Sequence, residues 1–223
     1  MKKKYWILFA LLILIVIIIL LSNFVIKPSS GETFVNSLEK FKKFKDFNSF
    51  TSTYSILIKA NHQTQESICD IFFKENKYKT IFFTNSTRGI TRQVIYVLPS
   101  GVFGCTSHEC VKTLEVLSPL LEMKKIEESY ANNKISNISF VKDEEITQRT
   151  CESYDFNIYA ERASVCFDKD IGLMLYFSQT SQNGYVEMKV SNFQLDVEIE
   201  DSEFELPFTP NRTAYSISEY LPE

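Results

Sequence analysis

Hydrophobic positions divide the chain into one unbroken apolar segment at its start and a long region of alternating pattern behind it. No polar residue interrupts the run from Tyr5 to Leu21, and Phe24-Val25-Ile26 extends it. A helix over residues 5–26 would be about 33 Å long at ~1.5 Å per residue, which is enough to cross a bilayer. Such a helix satisfies its own backbone hydrogen bonds, which lipid cannot do. The pattern therefore predicts a transmembrane helix over 5–26.

The charges before this segment predict its orientation. Residues 1–4 include three lysines, which favour a cytoplasmic N-terminus in the cell membrane. A cleaved signal peptide is the alternative, but it has a shorter apolar core and a cleavage site with small residues. Residues 22–26 offer no good site of that kind, so an uncleaved single-pass anchor is favoured. Both interpretations place the remaining chain outside the cytoplasm.

A basic amphipathic helix is predicted after a short linker at residues 27–31. Phe34, Leu38 and Phe41 follow helical spacing within residues 32–47, while lysines spread around the other face. A helix that faces the core with a solvated basic side is favoured over one lying on an anionic membrane surface. Basic clusters beside a membrane helix usually act on the cytoplasmic side, which is the opposite side here.

From Phe50 onward the period of the apolar positions changes to two, which is typical of β-strands. The connections are too short for parallel crossovers, so the first strands form an antiparallel meander. Residues 111–130 interrupt this pattern and favour a helix or two short ones. The predicted strands are 50–59, 69–74, 77–84, 93–98, 135–141, 147–159, 163–167, 171–180 and 185–199.

These elements predict a fold class that is α+β and mainly β. The transmembrane helix is followed by one curved antiparallel sheet of roughly nine to eleven strands, a half-barrel with helices on its concave side. Within the last run, the apolar parity changes near Ser191-Asn192, which predicts a β-bulge that curves the sheet. Residues 32–207 are expected to form one exported domain, and residues 208–223 a polar C-terminal tail.

Composition supports a packed domain and argues against a nucleic-acid partner. The formal net charge is −4, and the chain without its lysine-rich start is more acidic still. Nineteen phenylalanines and eleven tyrosines stand against only six glycines and six prolines, unlike a disordered stalk. About 195 residues follow the anchor and linker, which is enough for one unaided core.

The cysteines predict two disulfides, because an exported domain is oxidised outside the cell. Cys151 and Cys166 lie near the facing ends of two predicted strands. Closing that loop of roughly 15 residues stabilises by about 3 kcal/mol in the chain-entropy model. Cys105 and Cys110 are expected to close a shorter loop. Cys69 lies in an apolar strand and is expected to be a buried thiol.

Motifs for catalysis are sparse, so the chain is predicted not to be an enzyme and not to need a cofactor. No nucleophile elbow, phosphate-binding loop, zinc-protease helix or dinucleotide fingerprint occurs. Of the two histidines, His62 lies in a predicted turn, where a solvated side chain is expected. The acidic groups Glu144-Glu145 and Asp168-Lys169-Asp170 are likewise expected to be solvated turn residues.

The segment from Cys105 to Cys110 is the one cluster with reactive side chains. Its two cysteines, His108 and Glu109 could supply four ligands to zinc. The short spacing crowds such a site, and the exported location favours a disulfide. A disulfide is therefore predicted, with a metal site and free thiols as the alternatives.

Three glycosylation motifs agree with an exported chain. They begin at Asn85, Asn137 and Asn211. If the cell glycosylates its exported proteins, these positions are expected to lie on the surface.

The C-terminal half resembles the LolA/LolB-like superfamily of periplasmic lipoprotein carriers. Cys166–Leu173 reads as a strand, an acidic turn with glycine, and the start of another strand. A strand pair follows, and Asp201-Ser202-Glu203-Phe204-Glu205-Leu206-Pro207 matches the closing D-x-x-F-x-L/I-P phrase of that family. The resemblance covers 32–207 in the order of elements, and only 151–207 in motif.

This resemblance implies a half-barrel whose helices cover an apolar concave face that holds acyl chains. It favours a membrane-tethered, non-catalytic binding module for a lipid or lipid-modified ligand. The alternative is a cell-surface interaction protein that binds another protein or an envelope polymer through its sheet. The membrane helix and the cysteines depart from the family pattern, and the oligomeric state stays open. The expected ligand-lining residues are Tyr54, Ile56, Phe72, Phe82, Tyr96, Tyr176 and Phe193.

Overall fold

The computed structural model of the chain describes residues 29–44, 49–60, 63–86, 89–115, 118–182, 184–210 and 212–216. The predicted transmembrane segment 5–26 lies outside these ranges, and within them no helix is long and apolar enough to cross a bilayer. The helices are α1 (Ser30–Phe44), α2 (Pro119–Ala131) and a 3₁₀ helix (Asp201–Phe204). The strands are β1 (Ser49–Ala60), β2 (Gln63–Lys74), β3 (Lys77–Ser86), β4 (Gly89–Leu98), β5 (Gly101–Cys105), β6 (Cys110–Glu115), β7 (Ile135–Ile146), β8 (Arg149–Ile158), β9 (Glu161–Asp168), β10 (Met174–Ser181), β11 (Gly184–Leu195) and β12 (Thr213–Ser216).

All of these strands belong to one sheet with the order β12-β6-β5-β4-β3-β2-β1-β11-β10-β9-β8-β7. Two antiparallel meanders, β1–β6 and β7–β11, meet where β1 pairs with β11. The chain passes from the first meander to the second through α2. This large open sheet with two α-helices fits the predicted α+β half-barrel.

Three hairpins turn through two residues with positive φ. They are Glu75-Asn76, Thr147-Gln148 and Tyr159-Ala160. Positive φ at both positions is the signature of type I′ turns, whose twist matches that of the flanking strands. The turn at Glu75-Asn76 is one of the short connections that predicted an antiparallel meander of the first strands. Thr147, Gln148 and Tyr159 were expected in the strand 147–159 but form turns at its two ends.

The predicted bulge in the last long strand is confirmed. Tyr54 pairs with Val190, whereas its neighbour Thr53 pairs with Asn192, so Ser191 is the extra residue on β11. An extra residue reverses the parity of the side chains after it, which is the change seen in the sequence.

Two sequence predictions are wrong at the far edge of the sheet. Residues 111–115 were expected to be helical but belong to β6, which pairs with β5 through a tight hairpin from Cys105 to Cys110. Thr213–Ser216, in the predicted polar tail, is β12 and pairs with β6 in parallel. The described part therefore holds twelve strands rather than nine to eleven. Short strands of four to six residues are stabilised by neighbours distant in sequence and leave little periodic signal.

The helix α1 packs on the sheet as its apolar spacing predicts. Ser29 precedes the helix as its cap, because its Oγ accepts a hydrogen bond from the backbone N–H of Glu32 at 3.2 Å. The fully buried Phe34 ring meets Tyr154, Phe156 and Phe167 with ring centroids 5.4, 5.4 and 5.5 Å away. The side of the sheet that carries α1 and α2 is called the helix face below.

The opposite face of the sheet has its own apolar cluster. The segment 200–206 packs against it through Leu206, and Phe204 in the same segment is buried. Lys79 Nζ lies 2.6 Å from a Glu203 carboxylate oxygen and holds this segment on β3. The buried members of the cluster are Ile81, Val94, Tyr96, Phe103, Cys105 and Cys110.

Candidate functional site

A cavity of about 460 Å³ lies on the helix face, between the two α-helices and strands β2–β5. Its volume is within the range of small-molecule binding sites in proteins, about 300–1,000 Å³. Its lining residues are Leu38, Phe41, Phe73, Asn76, Tyr78, Val97, Val102, Leu120, Leu121, Met123, Lys124, Glu127, Glu128 and Ala131.

The interior of this cavity is apolar and its mouth is polar. Phe73, Leu120 and Met123 are each 5% exposed or less, whereas Lys124 and Glu128 lie in solvent. An apolar interior with a polar mouth suits a molecule that buries a hydrocarbon part and keeps a polar end in water.

One hydrogen bond and one buried phenol characterise the apolar wall. The backbone N–H of Met174 on β10 donates to Met123 Sδ at 3.3 Å, which holds α2 against the sheet. On the other side, Tyr78 projects from β3, and burial raises the pKa of its phenol. A raised pKa keeps the phenol neutral, so the interior carries no charge at this position.

Four of the predicted lining residues lie on the helix face, but they pack in the core and do not line the cavity. They are Tyr54, Ile56, Phe82 and Phe193. Tyr54 is fully buried, and its hydroxyl donates to the carbonyl oxygen of Met174 at 2.7 Å. These residues therefore support the sheet beneath the helices.

The other three predicted lining residues lie on the opposite face, which corrects their predicted orientation. Phe72 lies between Ile71 and Phe73 on β2, and both neighbours pack on the helix face. Tyr96 belongs to the cluster of the opposite face. Tyr176 pairs with Lys189, and its hydroxyl donates to Glu187 at 3.3 Å on that face. Consecutive apolar residues hide the alternation, so the sequence did not show which face each residue takes.

Sequence reasoning missed the residues that do line the cavity. The sequence places Leu38 and Phe41 on the apolar side of a helix, and Leu120 and Leu121 in a helical segment, without indicating a cavity. Val97 and Val102 flank a turn. An apolar helical stripe appears identical in a filled core and beside a cavity, so no signal in the sequence distinguished the two.

Both predicted disulfides are present. Cys105 bonds to Cys110 and Cys151 to Cys166, with Cα atoms 4.1 and 5.5 Å apart. Because the first bond uses both thiols, the alternative zinc site is excluded, and His108 is exposed. In the described ranges, no group of three or more His, Cys, Asp or Glu side chains could hold a metal ion.

Cys69 is the buried thiol that the sequence predicts. It is fully buried in the core of the helix face. Burial raises the pKa of this thiol, which keeps it protonated and unreactive.

Asp168 differs from its prediction as a solvated turn residue. It is 1% exposed, and its carboxylate accepts hydrogen bonds from Arg149 and from the backbone N–H groups of Asp170 and Ile171. A buried carboxylate needs such partners. Asp168 therefore stabilises the turn between β9 and β10 and is not available to a substrate. Glu144 and Glu145 lie on β7 rather than in a turn.

Two of the three glycosylation motifs begin on the surface, as predicted. Asn85 and Asn137 are exposed. Asn211 lies outside the described residues.

Comparison with known proteins identifies the fold only through structure. No family model and no curated protein sequence matches the chain. Solved structures do match, at 10% identity: the MucA/MucB complex of Pseudomonas aeruginosa with a TM-score of 0.53, MucB alone with 0.52, and MucB with MucA(peri) with 0.50. They cover 78%, 78% and 77% of this chain, which spans 61%, 62% and 59% of theirs. MucB has the LolA/LolB-like fold. The resemblance found in the sequence is therefore confirmed for the fold of this chain.

Proposed function

We propose that this chain is a non-catalytic binding module that holds a lipid or lipid-modified ligand in the helix-face cavity. The observation that carries the proposal is an apolar cavity of about 460 Å³ with charged side chains at its mouth. Such a site takes hydrocarbon into its interior and leaves a polar head or a peptide outside.

The gain from burying hydrocarbon is large enough for useful affinity. Each methylene group that leaves water contributes about 0.8 kcal/mol, so ten of them contribute about 8 kcal/mol. Association itself costs several kcal/mol in lost freedom, which offsets part of this gain. A ligand with one acyl chain would therefore bind reversibly.

The proposed module is exported and tethered to the cell membrane. The predicted helix over 5–26 and the linker 27–31 would hold the domain of 32–207 on the extracytoplasmic side, followed by the tail 208–223. A tethered protein cannot diffuse between membranes. Receiving, presenting or sensing a lipid at one membrane therefore fits this chain better than carrying it across a compartment.

Native mass spectrometry of the full chain, released from lipid nanodiscs, tests the proposal. The wild-type chain is expected to retain a lipid and to bind a fluorescent fatty acid. Val97→Phe places a larger side chain in the cavity and should weaken probe binding at least about tenfold, or ~1.4 kcal/mol. Val141→Phe is the matched control, because Val141 is 49% exposed on β7, away from the cavity. Absence of both lipid and probe binding in the wild type would refute the proposal.

The second candidate is a surface interaction protein that binds another protein or an envelope polymer through its sheet. It is favoured by one observation: MucB, which shares this fold, is solved in complex with MucA. The fatty-acid binding measurement, combined with cross-linking, distinguishes the two candidate functions. A cavity that binds no fatty acid, together with a partner cross-linked to the sheet in intact membranes, supports the second candidate.

A further inference from the structure

The opposite face of the sheet carries an exposed apolar groove of about 510 Å³ that the helix-face cavity does not use. Ile68 and Ile90 are 53% and 75% exposed there, the partly buried Phe83 lies on the strand between them, and the partly buried Leu57 lies on β1 beside Ile68. Exposed apolar groups gathered in this way mark interaction surfaces. The outer patch is defined as Leu57, Ile68, Phe83 and Ile90.

Strand register arranges charges beside the outer patch in two parallel rows that cross the strands. In the acidic row, Leu57 pairs with Glu187 on one side and with Glu66 on the other. The neighbouring basic row lies two residues along each strand, about 7 Å away. Its members in order are Lys189, Ser55, Ile68, Phe83 and Arg92.

These charges have no ion-pair partner among the described residues of their own chain. Glu66, Glu187, Arg92 and Lys189 form no salt bridge there. The Glu187 carboxylate accepts hydrogen bonds from the hydroxyls of Tyr176 and Tyr185, which orient it without neutralising it. The rows therefore present opposite, unneutralised charges beside and among the apolar side chains of the outer patch.

We propose that the outer patch is the contact between two copies of this chain. The two copies are related by a two-fold axis that runs parallel to the sheet and perpendicular to the strands, between the two rows. This axis places the acidic row of each copy over the basic row of the other. Glu187 then lies over Lys189 of the second copy, and the same pair forms a second time by symmetry. Ile68 of the second copy then lies over Glu66 and beside Leu57 of the first, so the apolar side chains of the two copies interleave, as those of facing sheets do in β-sandwiches.

This contact is independent of the proposed ligand. The outer patch and the helix-face cavity lie on opposite faces of the sheet, so dimer formation leaves the cavity open. Asn85 lines the groove of the outer patch, and a glycan on it would prevent the contact. The proposal therefore expects Asn85 to be unmodified in the dimer.

The test measures the mass of the full chain in detergent by sedimentation equilibrium. We expect a wild-type dimer, and we expect Lys189→Glu to raise the dissociation constant at least about tenfold, because two acidic side chains then oppose each other twice. Glu187→Lys should raise the dissociation constant in the same way, because the new lysine then faces Lys189 of the other copy. When the two variants are mixed, residue 187 of each copy again faces a residue 189 of opposite charge in the other copy. A mixed dimer should therefore form. The double variant Glu187→Lys/Lys189→Glu should also regain the dimer.

The matched control is Lys134→Glu, which makes the same charge change at an exposed position beside β7, and it should leave the dimer unchanged. If Glu187→Lys does not fold, because its two tyrosine partners are lost, Ile68→Lys replaces it as the disrupting variant. A monomeric wild type, a Lys189→Glu dimer as tight as the wild type, or a glycan on Asn85 of the dimer would overturn the proposal.

Discussion

The Nζ atom of Lys42 on α1 lies 3.8 Å from a carboxylate oxygen of Glu127 on α2, and this ion pair joins the two helices beside the cavity. The side chains are 54% and 39% exposed, so the pair contributes only about 0–1 kcal/mol to folding stability. Its position matters more than its energy, because a ligand that enters between the helices must pass it.

Reversing the charge of Lys42 should speed ligand exchange. In Lys42→Glu two acidic side chains face each other across the helices, and we expect a fluorescent fatty acid to dissociate about two- to fivefold faster, the effect of up to ~1 kcal/mol. Stopped-flow displacement of the probe measures this rate. Lys43→Glu is the control, since Lys43 is exposed on the same helix. Adding Glu127→Lys to Lys42→Glu should restore the slow rate, and an unchanged rate in Lys42→Glu would contradict this role.

Replacing Gly172 should separate α1 from the sheet. Gly172 has a φ of +71°, and a Cβ atom there would lie 2.7 Å from the backbone nitrogen of Phe41 and closer still to the carbonyl oxygen of Ser37. We expect Gly172→Ala to lower the free energy of unfolding by at least about 2 kcal/mol, because the contact is with rigid backbone. Urea unfolding measures the change. Gly31→Ala is the control, since a Cβ atom at Gly31 meets nothing within 4 Å. Equal stability of the two variants would refute the argument.

The two disulfides should contribute unequally to stability. The bond between Cys151 and Cys166 closes a loop of 15 residues and that between Cys105 and Cys110 a loop of 5. The chain-entropy model assigns about 3 kcal/mol to the longer loop and about 2 kcal/mol to the shorter one. Urea unfolding of Cys151→Ala/Cys166→Ala and of Cys105→Ala/Cys110→Ala should show this order. The reverse order would mean that loop closure is not the main contribution.

Acid should weaken the attachment of Asp201 to the lysines of the opposite face. A hydrogen bond from Lys74, and a smaller effect of the hydrogen bond from Lys77, lower the pKa of Asp201 below its ordinary value. A carboxyl group whose pKa is lower in the folded state than in the unfolded state stabilises the fold at pH values above its unfolded pKa, about 3.9. This contribution is lost as the pH falls through the folded pKa. Asp201→Asn should therefore lower the urea midpoint at pH 6, and the difference from wild type should vanish toward pH 2. Glu205→Gln is the control, because Glu205 is exposed and has no salt bridge to a described residue. A difference that persists at pH 2 would contradict the assignment.

Much of the fold follows from local pattern in the sequence. The alternation from Phe50 predicts an antiparallel meander, and the parity change at Ser191 predicts the bulge that the pairing of Tyr54 with Val190 confirms. The facing ends of two predicted strands bring Cys151 and Cys166 together, and the structure bonds them. Each of these inferences depends on residues close in sequence, whose geometry the backbone period dictates.

The candidate site followed much less from the sequence. Ile71-Phe72-Phe73 is apolar at both parities, and only the pairing of β2 with its neighbours places Phe72 on the opposite face. The same limit applies to Tyr96 and Tyr176. Asp168 has the sequence context of a solvated turn and becomes buried because Arg149, 19 residues away, reaches it.

The sequence by itself therefore determined the class of the fold, its bulge and its disulfides, because these depend on local periodicity and short loops. Tertiary structure decided which apolar residues fill the core, which line the helix-face cavity and which form the outer patch. A side chain takes its face from register with strands distant in sequence, and a one-residue shift in register exchanges the two faces. The empty space between α1, α2 and the sheet exists only once those distant elements are packed together.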